Sequence, residues 1–187
     1  MPFGLNIAPR VFTKLTRTMA SLLADRGGTV LMYLDDWLLQ AESREAVLTA
    51  TQTTMDVCTH LGFAFNLPKC ELPPSQGILW LGMEWDAQSP TLRLSDANRV
   101  KVVGKLRRTV ASFNCSHRLW ARLLGSLNFA AQVVPLGRLW CQRLWWEGNR
   151  AFSRRHPHLL LPVPPHLHQL LQQWLAPGLL QTAVPWR

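Results

Sequence analysis

Acidic side chains are scarce in this 187-residue chain, with 11 Asp and Glu against 20 Lys and Arg and a net charge of +9. The shortage is concentrated in one half. Residues 1–92 hold six basic and nine acidic side chains, a balance of −3, whereas residues 93–187 hold fourteen and two, a balance of +12. Such a depleted second half does not read as a mixed solvated surface; it points to a polyanionic partner, nucleic acid foremost. Long apolar runs are also absent. None reaches the roughly 20 residues that span a bilayer, although 48% of residues are hydrophobic, enough for a core. Met1-Pro2-Phe3-Gly4 has neither a charged n-region nor a long apolar h-region, so neither secretion nor a membrane role is expected. The four cysteines, Cys58, Cys70, Cys115 and Cys141, form no C-x-x-C pair. They read as reduced thiols of an intracellular protein, cytoplasmic or nuclear, not as a disulfide frame or zinc site. The His156-x-His158 and His166-x-His168 pairs have no carboxylate or thiol beside them to complete a metal set. No internal repeat is present.

The most informative stretch is Thr29 to Gln40, where Asp35-Asp36 sits between two apolar runs of strand length and composition. The pattern predicts a β-hairpin with Asp35-Asp36 at its tip. Adjacent like charges suit a tight turn poorly, since such turns favour Gly or Asn at positive φ. A local fault between two good strands points to a site.

The remaining elements follow from periodicity and punctuation. Pro2-Phe3-Gly4 marks a turn and Pro9 the start of a helix whose stripe is Val11, Phe12, Leu15, Met19, Leu22 and Leu23, with a basic ridge at Arg10, Lys14 and Arg17. Gly27-Gly28 ends it. Ser43 caps a helix through Leu61, with Leu48, Thr51, Met55 and Cys58 on the expected inner face and Gly62 at its end. Phe63 to Asn66 reads as a short strand, and Gly77 to Trp85 as a strand or tight hairpin in which Gly82 permits a bend or a close approach. Thr91 to Leu94 pairs with it. From Ser95 the pattern turns helical and basic. Ser95 caps a helix with stripe Val100, Val103, Leu106, Val110 and Phe113, flanked by Arg99, Lys101, Lys105, Arg107 and Arg108. Ser116 caps the next, with Leu119, Leu123, Leu127 and Val134. Pro135 separates it from a third, about Leu136 to Phe152. Six of nine tryptophans follow Ser95; interleaved with arginines they can stack on bases, but most are expected to be core or interface residues. A Pro-rich linker from His156 to Pro165, a last helix from about His166 to Leu175 and an unstructured end at Trp186-Arg187 complete the reading.

Four of these segments, in this order, resemble reverse transcriptases. Met1 to Phe12 is similar to motif B, Tyr33-Leu34-Asp35-Asp36 to motif C, Leu61-Gly62-Phe63 with Asn66-Leu67-Pro68-Lys69 to motif D, and Leu79 to Trp85 to motif E, the primer grip. The Phe-Gly-Leu-x-x-Ala-Pro-Arg and Trp-Leu-Gly-Met-Glu-Trp-Asp wording resembles the DIRS-like retrotransposons, which carry a tyrosine recombinase. The resemblance implies an α+β fold: a partial polymerase palm, an antiparallel sheet with helices on one face (residues 1–94). A helical, basic thumb or connection (95–155) and a Pro-rich linker with a terminal helix (156–187) would follow, leading toward a ribonuclease H domain whose carboxylate set is not visible here.

The same resemblance implies the chemistry. Asp35 would be the main ligand of Mg²⁺ (or Mn²⁺) and Asp36 a supporting one, with two ions in the intact family. Lys69 would protonate pyrophosphate. Pro2, Phe3, Gly4, Arg10 and Tyr33 would lie against template and incoming dNTP, Trp80, Leu81, Gly82 and Met83 would hold the primer end, and Lys14, Arg99, Lys101, Lys105, Arg107 and Arg108 would follow the backbone of an RNA/DNA template-primer. Phe3 stands where the family often has Gln. The family's motif A Asp lies upstream of motif B, and Asp25 is no substitute for it. The chain is therefore expected to be an N-terminally truncated fragment, lacking fingers and motif A, that binds metal weakly and is inactive alone because the motif A Asp is absent. The N-terminal palm and fingers and the ribonuclease H portion of a polyprotein are its expected partners. The alternatives are a non-enzymatic nucleic-acid-binding remnant working through the basic helices, and a relic with no stable fold.

Overall fold

The computed structural model describes residues 4–24 and 29–186. Pro2, Phe3, Asp25 and Gly27-Gly28 lie outside them. The chain divides into two units, residues 1–76 and 77–187.

The first unit is built on a hairpin flanked by two helices. Helix α1 (Ala8–Ala24) carries Pro9 in its first turn, where a missing N–H costs nothing. Strands β1 (Thr29–Tyr33) and β2 (Asp36–Gln40) pair antiparallel with Tyr33 opposite Asp36 and Met32 opposite Trp37. Helix α2 (Arg44–His60) starts at Ser43, whose hydroxyl accepts the Ala46 N–H at 3.1 Å. It ends in a Schellman closure: Gly62 takes φ +84°, its N–H reaches Thr59 O, and the Phe63 N–H reaches Cys58 O. Helix α1 contacts β1 and α2, and α2 contacts β2. The core is small, with Thr16, Met19, Leu23, Thr54 and Cys58 buried.

The helix faces differ from the expected ones. Val11, Leu15, Leu22 and Leu48 are exposed, while Thr16 and Thr54 are buried. Both threonines hide their hydroxyls by donating to carbonyls one turn back, Thr13 O and Ala50 O. Phe63 to Asn66 is not a strand, and Leu67–Lys69 is a 3₁₀ turn. The Schellman closure and the packing of Phe63 on Trp37 (ring centroids 6.5 Å apart) hold the segment instead.

The second unit begins with a four-stranded antiparallel sheet in the order β3 (Gly77–Trp80), β4 (Met83–Asp86), β5 (Thr91–Leu94), β8 (Val184–Pro185). Met83 and Leu94 face each other and are both 3% exposed. Helices α3 (Asp96–Ala111) and α4 (His117–Ala130) are capped by Ser95 and Ser116, as expected. Helix α5 (Gly137–Ala151) and α6 (Pro165–Gln173) complete the bundle: α4 touches α3 and α5, and α6 touches α5 and α3. Leu106, Trp120, Leu123, Leu127, Leu144, Leu167, Leu171 and Trp174 fill one continuous core.

Here too the faces shift. Val102 and Leu106 are the buried residues of α3, whereas Val100 and Phe113 are 63% and 85% exposed. In α4 Trp120 is buried and Leu119 is exposed, and Val134 is buried beyond the helix end. The Pro-rich stretch is not a free linker. Strand β7 (Leu161–Pro162) pairs with β6 (Asn114–Cys115), and the Val163 N–H donates to Phe113 O. Of the end expected to be unstructured, Arg187 lies outside the described residues, and Trp186 is held in place. Trp186 donates its backbone N–H to Pro90 O and its Nε1–H to Asp86 O, and packs edge-on against Trp85. The whole is α+β, with antiparallel sheets and segregated helices.

Candidate functional site

The hairpin turn is not where the carboxylate pair predicts it. Tyr33 and Asp36 close the ladder, so the two central residues are Leu34 and Asp35. Leu34 alone takes positive φ, +54°. A positive φ at the first central position only is the pattern of a type II′ turn, where Gly is the usual occupant. This shift of one residue separates the two carboxylates. Asp35 sits at the apex, and Asp36 is the first residue of β2 on the same face as its cross-strand partner Tyr33.

Trp37 anchors the tip. Its Nε1–H donates to Leu34 O at 3.0 Å and its ring leans on Phe63. The strained turn is thus held from the strand that follows it. Asp35 and Asp36 are both exposed, as is Tyr33 at 57%. Among the described residues neither carboxylate accepts a hydrogen bond or joins an ion pair. Hard carboxylate oxygens with no competing cation suit Mg²⁺ in kind. They supply only part of a shell, since no group of three or more His, Cys, Asp or Glu comes together among the described residues.

The other predicted residues of the first unit lie on exposed surface. Gly4 has φ +93°, as its turn signal requires. Arg10 and Lys14 are exposed on α1, and Lys69 is exposed in its 3₁₀ turn with no hydrogen bond or ion pair to Asp35 or Asp36 among the described residues.

In the second unit Trp80 and Met83 close a tight hairpin with Leu81 (φ +51°) and Gly82 (φ +77°) as its turn. Two positive φ angles make this a type I′ turn. The Gly82 carbonyl accepts from Asn98 Nδ2 at 3.0 Å and from the Ser95 N–H, which ties the turn to the start of α3. A Cβ on Gly82 would lie 2.3 Å from Asn98 Nδ2, so both reasons for a glycine hold at once. Trp80 tilts against Trp85, whose Nε1–H donates to Trp80 O.

The basic residues of α3 divide by role. Lys101, Arg107 and Arg108 are exposed. Arg99 is held by Asp96 at 2.8 Å, which in turn holds the Asp96 carboxyl below its usual range. Lys105 donates to Ser126 Oγ on α4 at 2.5 Å and so pins two helices together. Of the late tryptophans, most of which were expected to be core or interface residues, Trp145 and Trp146 on α5 stand exposed, at 47% and 57%. The signal for that was present, because Arg138, Arg143 and Arg150 share their helix.

Residues 1–85 match the family described as reverse transcriptase (RNA-dependent DNA polymerase). Among solved structures, the foamy viral protease-reverse transcriptase in complex with double-stranded DNA matches 96% of this chain with a TM-score of 0.71 at 16% identity. The same viral protein in complex with an RNA/DNA hybrid matches 100% of the chain, again with a TM-score of 0.71 and 16% identity. The chain spans 28% and 23% of the length of those two chains. No curated protein matches. The fold is that of reverse transcriptase polymerases, and the family match supports a reverse transcriptase.

Proposed function

We propose that this chain is the palm and thumb segment of an RNA-directed DNA polymerase from a DIRS-like retrotransposon, acting inside the cell. Residues 1–94 serve as palm, 95–155 as thumb or connection, and 156–187 lead toward a ribonuclease H portion. The observation that carries this reading is the Tyr33-Leu34-Asp35-Asp36 hairpin, with both carboxylates exposed and without a partner among the described residues, inside a segment matched by the reverse transcriptase family.

Asp35 at the apex would hold a divalent metal, with Asp36 supporting it. When bound, Mg²⁺ or Mn²⁺ supplies Lewis-acid stabilisation of the attacking 3′-hydroxyl and the leaving pyrophosphate. Lys69 gives a proton to pyrophosphate. The type I′ turn at Leu81-Gly82 presents backbone to the primer end, flanked by Trp80 and Met83. Pro2, Phe3, Gly4, Arg10 and Tyr33 face template and dNTP. Lys14, Lys101, Arg107 and Arg108 neutralise phosphates. Arg99 and Lys105 do so more weakly, because Asp96 and Ser126 already engage them.

The motif A carboxylate is not among these 187 residues, and two carboxylates make an incomplete shell. Primer extension on an RNA template with Mg²⁺ or Mn²⁺ is therefore expected to be absent with this chain alone. It should appear when the chain is joined to a palm segment bearing that carboxylate, and be lost in Asp35→Asn. Extension that survives Asp35→Asn in the joined protein would refute the reading.

The exposed cations on α3 favour a second reading, a non-enzymatic nucleic-acid binder. It predicts salt-sensitive template-primer binding that persists in Asp35→Asn and weakens when Arg107 and Arg108 are replaced by Gln.

A further inference from the structure

Helix α5 turns Gly137, Cys141, Leu144 and Gly148 into the bundle. Its outward side carries Leu139, Arg143, Trp146 and Arg150, at spacings of four, three and four, so that they form one stripe. Trp145 stands on the flank. Its ring meets that of Trp146 edge-on, with centroids 5.5 Å apart and planes at 88°. The Arg154 guanidinium carbon lies 5.7 Å from the Trp145 centroid, and its Nε donates to Asn149 Oδ1. Arg143, Arg150 and Arg155 are exposed and join no ion pair among the described residues. The helix has one acidic residue, Glu147, and its carboxylate lies 3.6 Å from His166 of α6.

We propose that the outward face of α5, with Trp145 and Trp146 as stacking platforms and Arg143, Arg150 and Arg154 around them, binds single-stranded nucleic acid. The chemistry selects this occupant over others. Two large rings left in water beside a core that has taken in Trp120 and Trp174 mark a contact surface. An apolar protein partner would bury unpaired guanidinium groups, which is costly. A polyanion neutralises them, and its bases supply the flat apolar faces that the rings lack. Paired bases are already stacked on each other, so the strand must be single. Neither the hairpin carboxylates nor the α3 cations carry this assignment, and it stands whether or not the polymerase reading does.

The test is fluorescence anisotropy of labelled oligothymidylate and oligouridylate, about 15 nucleotides long, titrated with the 187-residue chain. Trp145→Ala with Trp146→Ala should weaken binding by at least about tenfold while leaving the far-UV circular dichroism and the salt slope unchanged. Arg143→Gln with Arg150→Gln should lower the slope of log K against log salt by about 1.4, two phosphate contacts' worth on a single strand. Stronger binding of the uridylate or of the thymidylate assigns RNA or DNA and supports the site in either case. Three results would overturn it: no binding by the parent chain at low salt, unchanged affinity in the tryptophan variant, or sedimentation showing self-association that the tryptophan variant abolishes.

Discussion

Gly82 is the residue whose replacement is most sharply defined. Its φ of +77° disfavours any L side chain, and an added methyl would displace the Asn98 amide that bonds its carbonyl. A left-handed conformation costs a non-glycine residue about 1–2 kcal/mol, and a lost hydrogen bond about 1 kcal/mol more. Gly82→Ala should therefore lower unfolding free energy by about 2–3 kcal/mol, measured by urea denaturation. The cysteines give a second prediction at this scale. Cys58, Cys115 and Cys141 are buried, and burial raises each thiol, Cys141 to about 11. At pH 8 Cys70 should be labelled by a thiol reagent well before the other three. The linkage sign is fixed by the same shift. Unfolded Cys141 loses its proton near its ordinary value of 9.0 while the folded thiol keeps it to about 11. The unfolded state then binds fewer protons, so its contribution to stability is full below pH 9 and is lost as pH rises toward 11. Thermal midpoints measured from pH 8 to 11 would check the direction.

The two hairpins and the α4–α5 pair decide the behaviour of the elements. The carboxylate hairpin keeps Leu34 at positive φ, a strain of about 1–2 kcal/mol that its surroundings must offset. Trp37 contributes one hydrogen bond and one ring contact to that end. Trp37→Phe keeps an aromatic ring but cannot donate to Leu34 O, and should cost about 0.5–1.5 kcal/mol and broaden the amide resonances of residues 33–37. Helices α4 and α5 meet at Gly148, where a Cβ would come within 1.8 Å of Trp120 Nε1. Gly148→Ala gains about 1 kcal/mol of helix propensity but forces the two helices apart, and the overpacking should dominate with a net loss of about 1–3 kcal/mol. Caps were legible without coordinates: Ser43, Ser95 and Ser116 cap, and Gly62 closes α2, because each acts through its immediate neighbours. The break expected at Pro135 comes earlier, since α4 already ends at Ala130. Helix faces were less so. Val100, Leu119 and Leu15 fit an apolar stripe as well as Val102, Trp120 and Thr16 do, and the choice depends on which flank another element covers. The turn at Leu34-Asp35 was missed by one residue because nothing local to a Leu announces positive φ.

At the scale of the whole chain, the carboxylates, the turn glycine and the basic faces were all legible as candidates, since charge and glycine placement are local facts. What long-range pairing does was not. The docking of Leu161-Pro162 on Asn114-Cys115 and of Trp186 on Trp85 joins residues far apart in sequence, and a proline-rich stretch gives no sign of it. Those pairings matter because they close a core that the first unit does not match. Residues 77–187 bury one continuous cluster from Met83 to Leu180, while residues 1–76 bury Thr16, Met19, Leu23, Thr54 and Cys58 and leave Val11, Leu15, Leu22, Leu31 and Leu48 in water. Burial near 25 cal/mol per Å² of apolar area makes that asymmetry one of stability. Hydrogen exchange followed by mass spectrometry should show the slowest amides in α4, α5 and α6. The amides of α1, β1 and β2 should exchange through openings of lower free energy. Urea unfolding should then give a hairpin-sensitive Trp37 signal that melts before the bulk helical signal, not coincident with it. Coincident transitions, with equal protection in both units, would mean that the first unit draws its stability from the second.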